Sequence, residues 1–202
     1  MKTLLRWGAA VSIAAATAGA AEFAAEDVTI TLAPPRAIVE GTYTFANAGD
    51  EAETIKLTYP FPRGPALGKP ENVSVRDGEG NEIPFKAKGH DVAFEVTVPA
   101  GGEAVISVAY EQPCGGCEYE YVIASERGWQ RPIAKATYAV VAPVQLAPVD
   151  CPYEWKETPA GDESLVRYEF SREDFYPDVD LVLHWDRPDF YFGSTALEGG
   201  AP

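Results

Sequence analysis

Two cysteines separated by two glycines, Cys114-Gly115-Gly116-Cys117, are the one constellation in this chain able to do chemistry by itself. Thiols at this spacing can cycle between dithiol and disulfide, and the first becomes a good nucleophile when it opens a helix whose dipole lowers its pKa. The residues that follow, Glu118-Tyr119-Glu120-Tyr121-Val122, are strand-like and bring two carboxylates beside the pair, which raises a thiol pKa. A structural disulfide or a cap on a chain junction is therefore the expected role, with thiol-disulfide exchange as an alternative.

Cys151 is the third thiol, so any pairing leaves one over. In the chain-entropy account, closing the short Cys114–Cys117 loop contributes about 1.9 kcal/mol, against about 3.8 kcal/mol for the longer loop to Cys151. Stability favours the longer bridge and proximity the shorter. Together with His184 the three cysteines would also supply a Cys₃His set for zinc, although no second close pair accompanies the first. Asp174, Asp178, Asp180, Asp186 and Asp189 offer oxygens of the kind calcium takes, without the regular loop that holds it, so solvated carboxylates are the expected role. Trp185, Phe190, Tyr191 and Phe192 lie among them as a candidate binding surface, or as the edge of a core.

Other chemistry is thin. The chain has two histidines, His90 and His184, and lacks a G-x-S-x-G elbow, an H-E-x-x-H helix and a glycine loop for phosphate. No catalytic residue is assigned, and a non-enzymatic role is expected. A formal charge of −15 argues against nucleic acid, whose phosphates are bound by basic patches.

The elements that must position these groups read as strands. Val28–Leu32, 38–45, 54–59, 73–76, 82–87, Val92–Val98 and 104–110 alternate apolar and polar residues between Gly, Pro, Asn and Asp clusters. Val92, Phe94, Val96 and Val98 fall on one face of the most regular of them. Beyond the cysteine pair, 118–124, 133–144, 152–157, 165–170 and 180–185 read the same way. Turns at roughly ten-residue spacing and the absence of an apolar helical stripe predict an all-β chain: a β-sandwich of about seven strands, then about five more.

The ends read differently. Lys2 and Arg6, an apolar run to Ala16 and small residues at Ala18-Gly19-Ala20 form a secretory signal cleaved after Ala20. The run is too short to span a bilayer, so no membrane insertion is expected after cleavage, which moves the formal charge to −17 by removing Lys2 and Arg6. The expected division is a signal peptide (1–20), a sandwich (21–112), a second β region packed on it (113–192) and a flexible tail (193–202).

The order of strands and turns resembles the VIT domain, the vault and inter-alpha-trypsin inhibitor type of sandwich, over residues 27–111. The residues that carry the likeness are Thr44-Phe45-Ala46-Asn47 before an acidic turn, Tyr59-Pro60-Phe61-Pro62, and Val98-Pro99-Ala100-Gly101-Gly102-Glu103 before the strand ending at Tyr110. The resemblance implies a sandwich fold and an interaction role, and it transfers no functional residue. The expectation is an exported, non-catalytic module of a bacterial envelope, periplasmic or extracellular, that works through a protein or envelope partner. A zinc- or calcium-binding protein and a thiol-disulfide oxidoreductase are the alternatives.

Overall fold

The computed structural model describes residues 20–186. The signal segment up to residue 19, the aromatics Phe190, Tyr191 and Phe192 with Asp189, and the expected tail lie outside the described residues. The fold is all-β. β1 (Ala21–Ala33), β2 (Arg36–Asn47), β3 (Glu53–Tyr59), β4 (Glu71–Asp77), β5 (Lys86–Lys88), β6 (Asp91–Val98) and β7 (Gly102–Pro113) precede the cysteine pair. β8 (Glu118–Tyr121), β9 (Ile133–Pro143), β10 (Val149–Asp150), β11 (Lys156–Pro159), β12 (Leu165–Phe175) and β13 (Leu181–Trp185) follow it. Helical structure among the described residues is limited to 3₁₀ turns at Ala124–Trp129 and Val144–Leu146.

Seven strands form one mixed sheet in the order β11-β12-β9-β1-β2-β7-β4. Its strands come from both sides of the cysteine pair, joined where β1 runs parallel to β9. Two three-stranded sheets, β3-β6-β5 and β10-β13-β8, complete the fold. Side chains from both meet Tyr43 on β2, so both lie over the same face of the long sheet. Alternation decides which face that is. In β2, Ala37, Val39, Tyr43 and Phe45 are buried while Ile38, Glu40 and Thr42 are exposed, the pattern of a sheet with one face on a core and one on solvent.

β1 departs from strict alternation at one point. A register shift between Phe23 and Ala25 inserts an extra residue, so that Phe23 and Glu26 both face inward in phase with Val28, Ile30 and Leu32. An odd separation would otherwise send them to opposite faces.

Three expected strands end differently. The hairpin at Asp77–Asn81 forms, with Asp77 N–H bonded to Asn81 O at 2.9 Å and Ile83 N–H to Val75 O at 2.8 Å. Pro84 then follows with no N–H to give, the chain leaves β4, and β5 pairs with β6 instead. The strand expected over 118–124 stops at Tyr121 because Asp180 Oδ1 takes the N–H groups of Ile123 and Ala124 at 2.9 and 2.8 Å. Of the strand expected over 152–157, only Lys156 and Glu157 are in β11, which reaches on to Pro159 and pairs with β12.

Candidate functional site

The cysteine pair is built into the end of β7. Cys114 is 3% exposed, its N–H donates to Pro35 O at 2.8 Å, and the Gly115 N–H donates to Ala66 O at 2.7 Å. Gly116 takes φ of +101°, a conformation open to glycine and costly for other residues, and turns the chain into β8. Burial pushes the Cys114 thiol up to about 11, the wrong direction for a nucleophile.

Cys114, Cys117 and Cys151 are free thiols in this structure. Cys117 flanks β8, its carbonyl accepting the Trp185 N–H at 3.1 Å, whereas Cys151 follows β10. These are the opposite edges of a sheet whose middle strand is β13. Two strand spacings, about 10 Å, separate them, beyond the Cα separation of about 7 Å that a disulfide bridges. The longer of the two bridges weighed from sequence is therefore not made.

His184 projects from β13 to the exposed side, with Nδ1 3.4 Å from Glu118 Oε2. Among the described residues, no group of three or more His, Cys, Asp or Glu side chains is placed to hold a metal ion. The set Cys114, Cys117, Cys151 and His184 is thus not gathered. Trp185, considered as part of an exposed binding surface, is only 6% exposed; its register opposite Val149 turns it into the core.

What the small sheet β10-β13-β8 does present is an open cleft of about 600 Å³. Glu120, Asp150, Asp178 and Asp180 line it, with Cys151, Val179, Val182 and His184. Asp150 and Glu118 sit in register on either side of His184, so carboxylates surround the one histidine of this sheet. Burial pushes the Cys151 thiol up to about 11, and Asp150 adds to the effect.

The groups furthest from their ordinary protonation behaviour lie deeper. Glu26 and Glu126 are each 3% exposed. Their carboxyl groups act on each other, and Oε2 of each finds no N–H or O–H donor. Two acceptors facing one another are satisfied only by a proton held between them. Desolvation raises both carboxyls, that of Glu26 to about 8. On the far side, the Tyr138 hydroxyl donates to Glu26 Oε1.

Beside this pair stand three tyrosines whose hydroxyls close a ring: Tyr43–Tyr121 at 2.7 Å, Tyr43–Tyr59 at 2.8 Å and Tyr59–Tyr121 at 3.1 Å. Burial raises all three, that of Tyr59 to about 12. The Tyr43 ring lies back over Gly41, where a Cβ would stand 2.2 Å from the hydroxyl oxygen. A residue with a side chain there would displace it.

Sequence reasoning passed over Glu26, Glu126 and this ring. A signal existed for Glu26, two residues before Val28 and so on the inward face of its strand. None existed for Glu126, which sits in a 3₁₀ turn without periodicity.

No protein-family model and no functionally curated protein matches the chain. Among solved structures it is similar to a candidate nutrient-binding protein from Legionella pneumophila subsp. pneumophila strain Philadelphia 1, at 16% identity and a TM-score of 0.65, over 84% of this chain and 68% of that one. It is also similar to an M1 zinc metallopeptidase from Deinococcus radiodurans, at 14% identity and a TM-score of 0.52, over 84% of this chain but 43% of the peptidase. At these identities the likeness defines a shared all-β fold and nothing finer.

Proposed function

We propose that the chain is an exported, non-catalytic module of the bacterial envelope that acts by binding a protein partner, and that a basic segment of the partner is received in the carboxylate-lined cleft. The observation that carries this reading is the cleft itself: about 600 Å³, open to solvent and lined by Glu120, Asp150, Asp178 and Asp180. Such a surface attracts lysine and arginine side chains and repels phosphate. The VIT-like order of residues 27–111 points the same way, toward a sandwich that works by contact. Support for a non-catalytic role comes from the reactive groups: the carboxyl pair and the tyrosine ring are sealed in the core, and the Cys114 thiol is buried and raised. The metal alternative draws less support, because Cys114, Cys117, Cys151 and His184 are dispersed over the small sheet and the end of β7, and thiol exchange draws less because burial raises the Cys114 thiol.

Photo-crosslinking in intact cells tests the proposal. A crosslinker at Val182, inside the cleft, should capture one envelope protein, and Asp150→Lys with Asp178→Lys should abolish the capture. A crosslinker at Lys56, on exposed β3, should capture nothing. Equal capture from both positions, or a chain that keeps its first twenty residues and stays in the cytoplasm, would overturn it.

A further inference from the structure

Among the described residues, the buried side-chain polar atoms without a partner are Glu26 Oε2, Ser125 Oγ, Glu126 Oε2 and Trp129 Nε1. Three of the four belong to one six-residue turn, Ala124–Trp129, and the fourth is the group that turn covers. Buried polar atoms left unpaired cost free energy, so this is the part of the core held shut with least to spare. Its attachments are few. The Glu126 carboxyl meets Glu26, Trp129 packs on Phe23 and Phe45 at centroid distances of 6.0 and 5.7 Å, and the entering backbone is tied to Asp180. The turn closes at Gln130 with φ of 57°, a strained value for a residue with a side chain.

We propose that the Ala124–Trp129 turn is a proton-held latch, closed while the Glu26 and Glu126 carboxyls share a proton and released when both are ionised. With the proton present the pair is a hydrogen bond. Without it, two like charges face each other in a buried site, and the sparsely attached turn is the partner free to move. Apart from the hydrogen bond Glu26 accepts from Tyr138, the charged groups facing the pair offer no relief. Asp27 acts on Glu26 from β1 and Asp180 acts on Glu126 from the chain before β13. The Tyr138 hydroxyl on β9 donates to Glu26, and burial keeps the hydroxyls of Tyr43 on β2, Tyr59 on β3 and Tyr121 on β8 protonated. The neighbouring cation, Arg127, is directed away, 5.2 Å over the ring of Tyr176. Ala124 also lines the cleft, so release of the latch would reshape a wall of it; that last step rests on the cleft being a binding site, whereas the latch does not.

Hydrogen exchange on the full chain, read by mass spectrometry without any partner, tests the latch. After correction for base-catalysed intrinsic exchange, amides of residues 124–130 should open about tenfold or more on going from about pH 6 to about pH 9, while those of β2 stay protected. Glu126→Gln, whose amide replaces the shared proton permanently, should remove the pH dependence, and Glu26→Gln provides a second variant should the first fail to fold. Exchange at 124–130 that is independent of pH in the native chain, or equally dependent in both variants, would overturn the proposal. So would closure at about pH 9 by added calcium ions, which would make the latch cation-held.

Discussion

The hydroxyl oxygen of Tyr43 lies 2.7 Å from that of Tyr121, 78 residues further along the chain. Tyr43 stands on the long sheet, Tyr121 on the sheet β10-β13-β8, and Tyr59, third in the ring, on β3-β6-β5. Each sheet contributes one hydroxyl, and each hydroxyl can donate once and accept from the next. The ring therefore satisfies three buried polar groups without water, at the point where the three sheets meet.

Tyr43→Phe should break two of the three bonds and leave Tyr59 and Tyr121 with only each other. The expected cost is about 1–3 kcal/mol, seen as a lower urea midpoint with an unchanged m-value. A midpoint equal to that of the native chain would show that the ring satisfies its members without holding the sheets together.

The strands were legible in the sequence wherever one face is buried, because a period of two is then forced on the residue types. Val92 to Val98 reads as a strand and is one, with the four residues assigned to its apolar face all buried. Partners were less legible. Nothing in the alternation of β1 announces that its second neighbour is β9, more than a hundred residues away, or that the hairpin will end at Pro84 and the chain beyond it pair with β6. Polar groups inside the core were the least legible. Glutamate is read as surface by composition, and only the phase of Glu26 with Val28 and Ile30 betrays it, while Glu126 becomes a core residue through a turn that has no phase at all.

Acidification from about pH 8 to about pH 5 should stabilise the chain. Glu26 and Glu126 hold protons more tightly folded than unfolded, because burial disfavours their charged forms. Their contribution is complete below the ordinary carboxylate range and is lost as pH rises through the folded value, about 8 for Glu26. Over that window stability should change by about 1.4 kcal/mol per pH unit for each proton held only by the folded state. Chemical denaturation between about pH 5 and about pH 8 measures the slope. Glu26→Gln should flatten it, whereas Glu95→Gln at an exposed site should not. A slope identical in the two variants would place the titrating groups elsewhere.

The two cysteines of the CGGC pair should respond unequally to the same change. Cys114 is 3% exposed and unbridged, so Cys114→Ser buries a hydroxyl among apolar neighbours and should cost about 1–3 kcal/mol. Cys117 is partly exposed, and Cys117→Ser should be nearly neutral. A thiol raised from 9 to about 11, as at Cys114 and Cys151, carries about a hundredfold less thiolate at neutral pH than an ordinary one. Maleimide should therefore reach Cys117 first, Cys151 slowly and Cys114 only on unfolding. A bridge between Cys114 and Cys117 would reverse this pattern: both serine variants would lose the same stability, neither thiol would label, and the native mass would be lower by two hydrogens. Equal losses in the two variants would thus turn the pair from a turn that carries a buried thiol into a covalent staple.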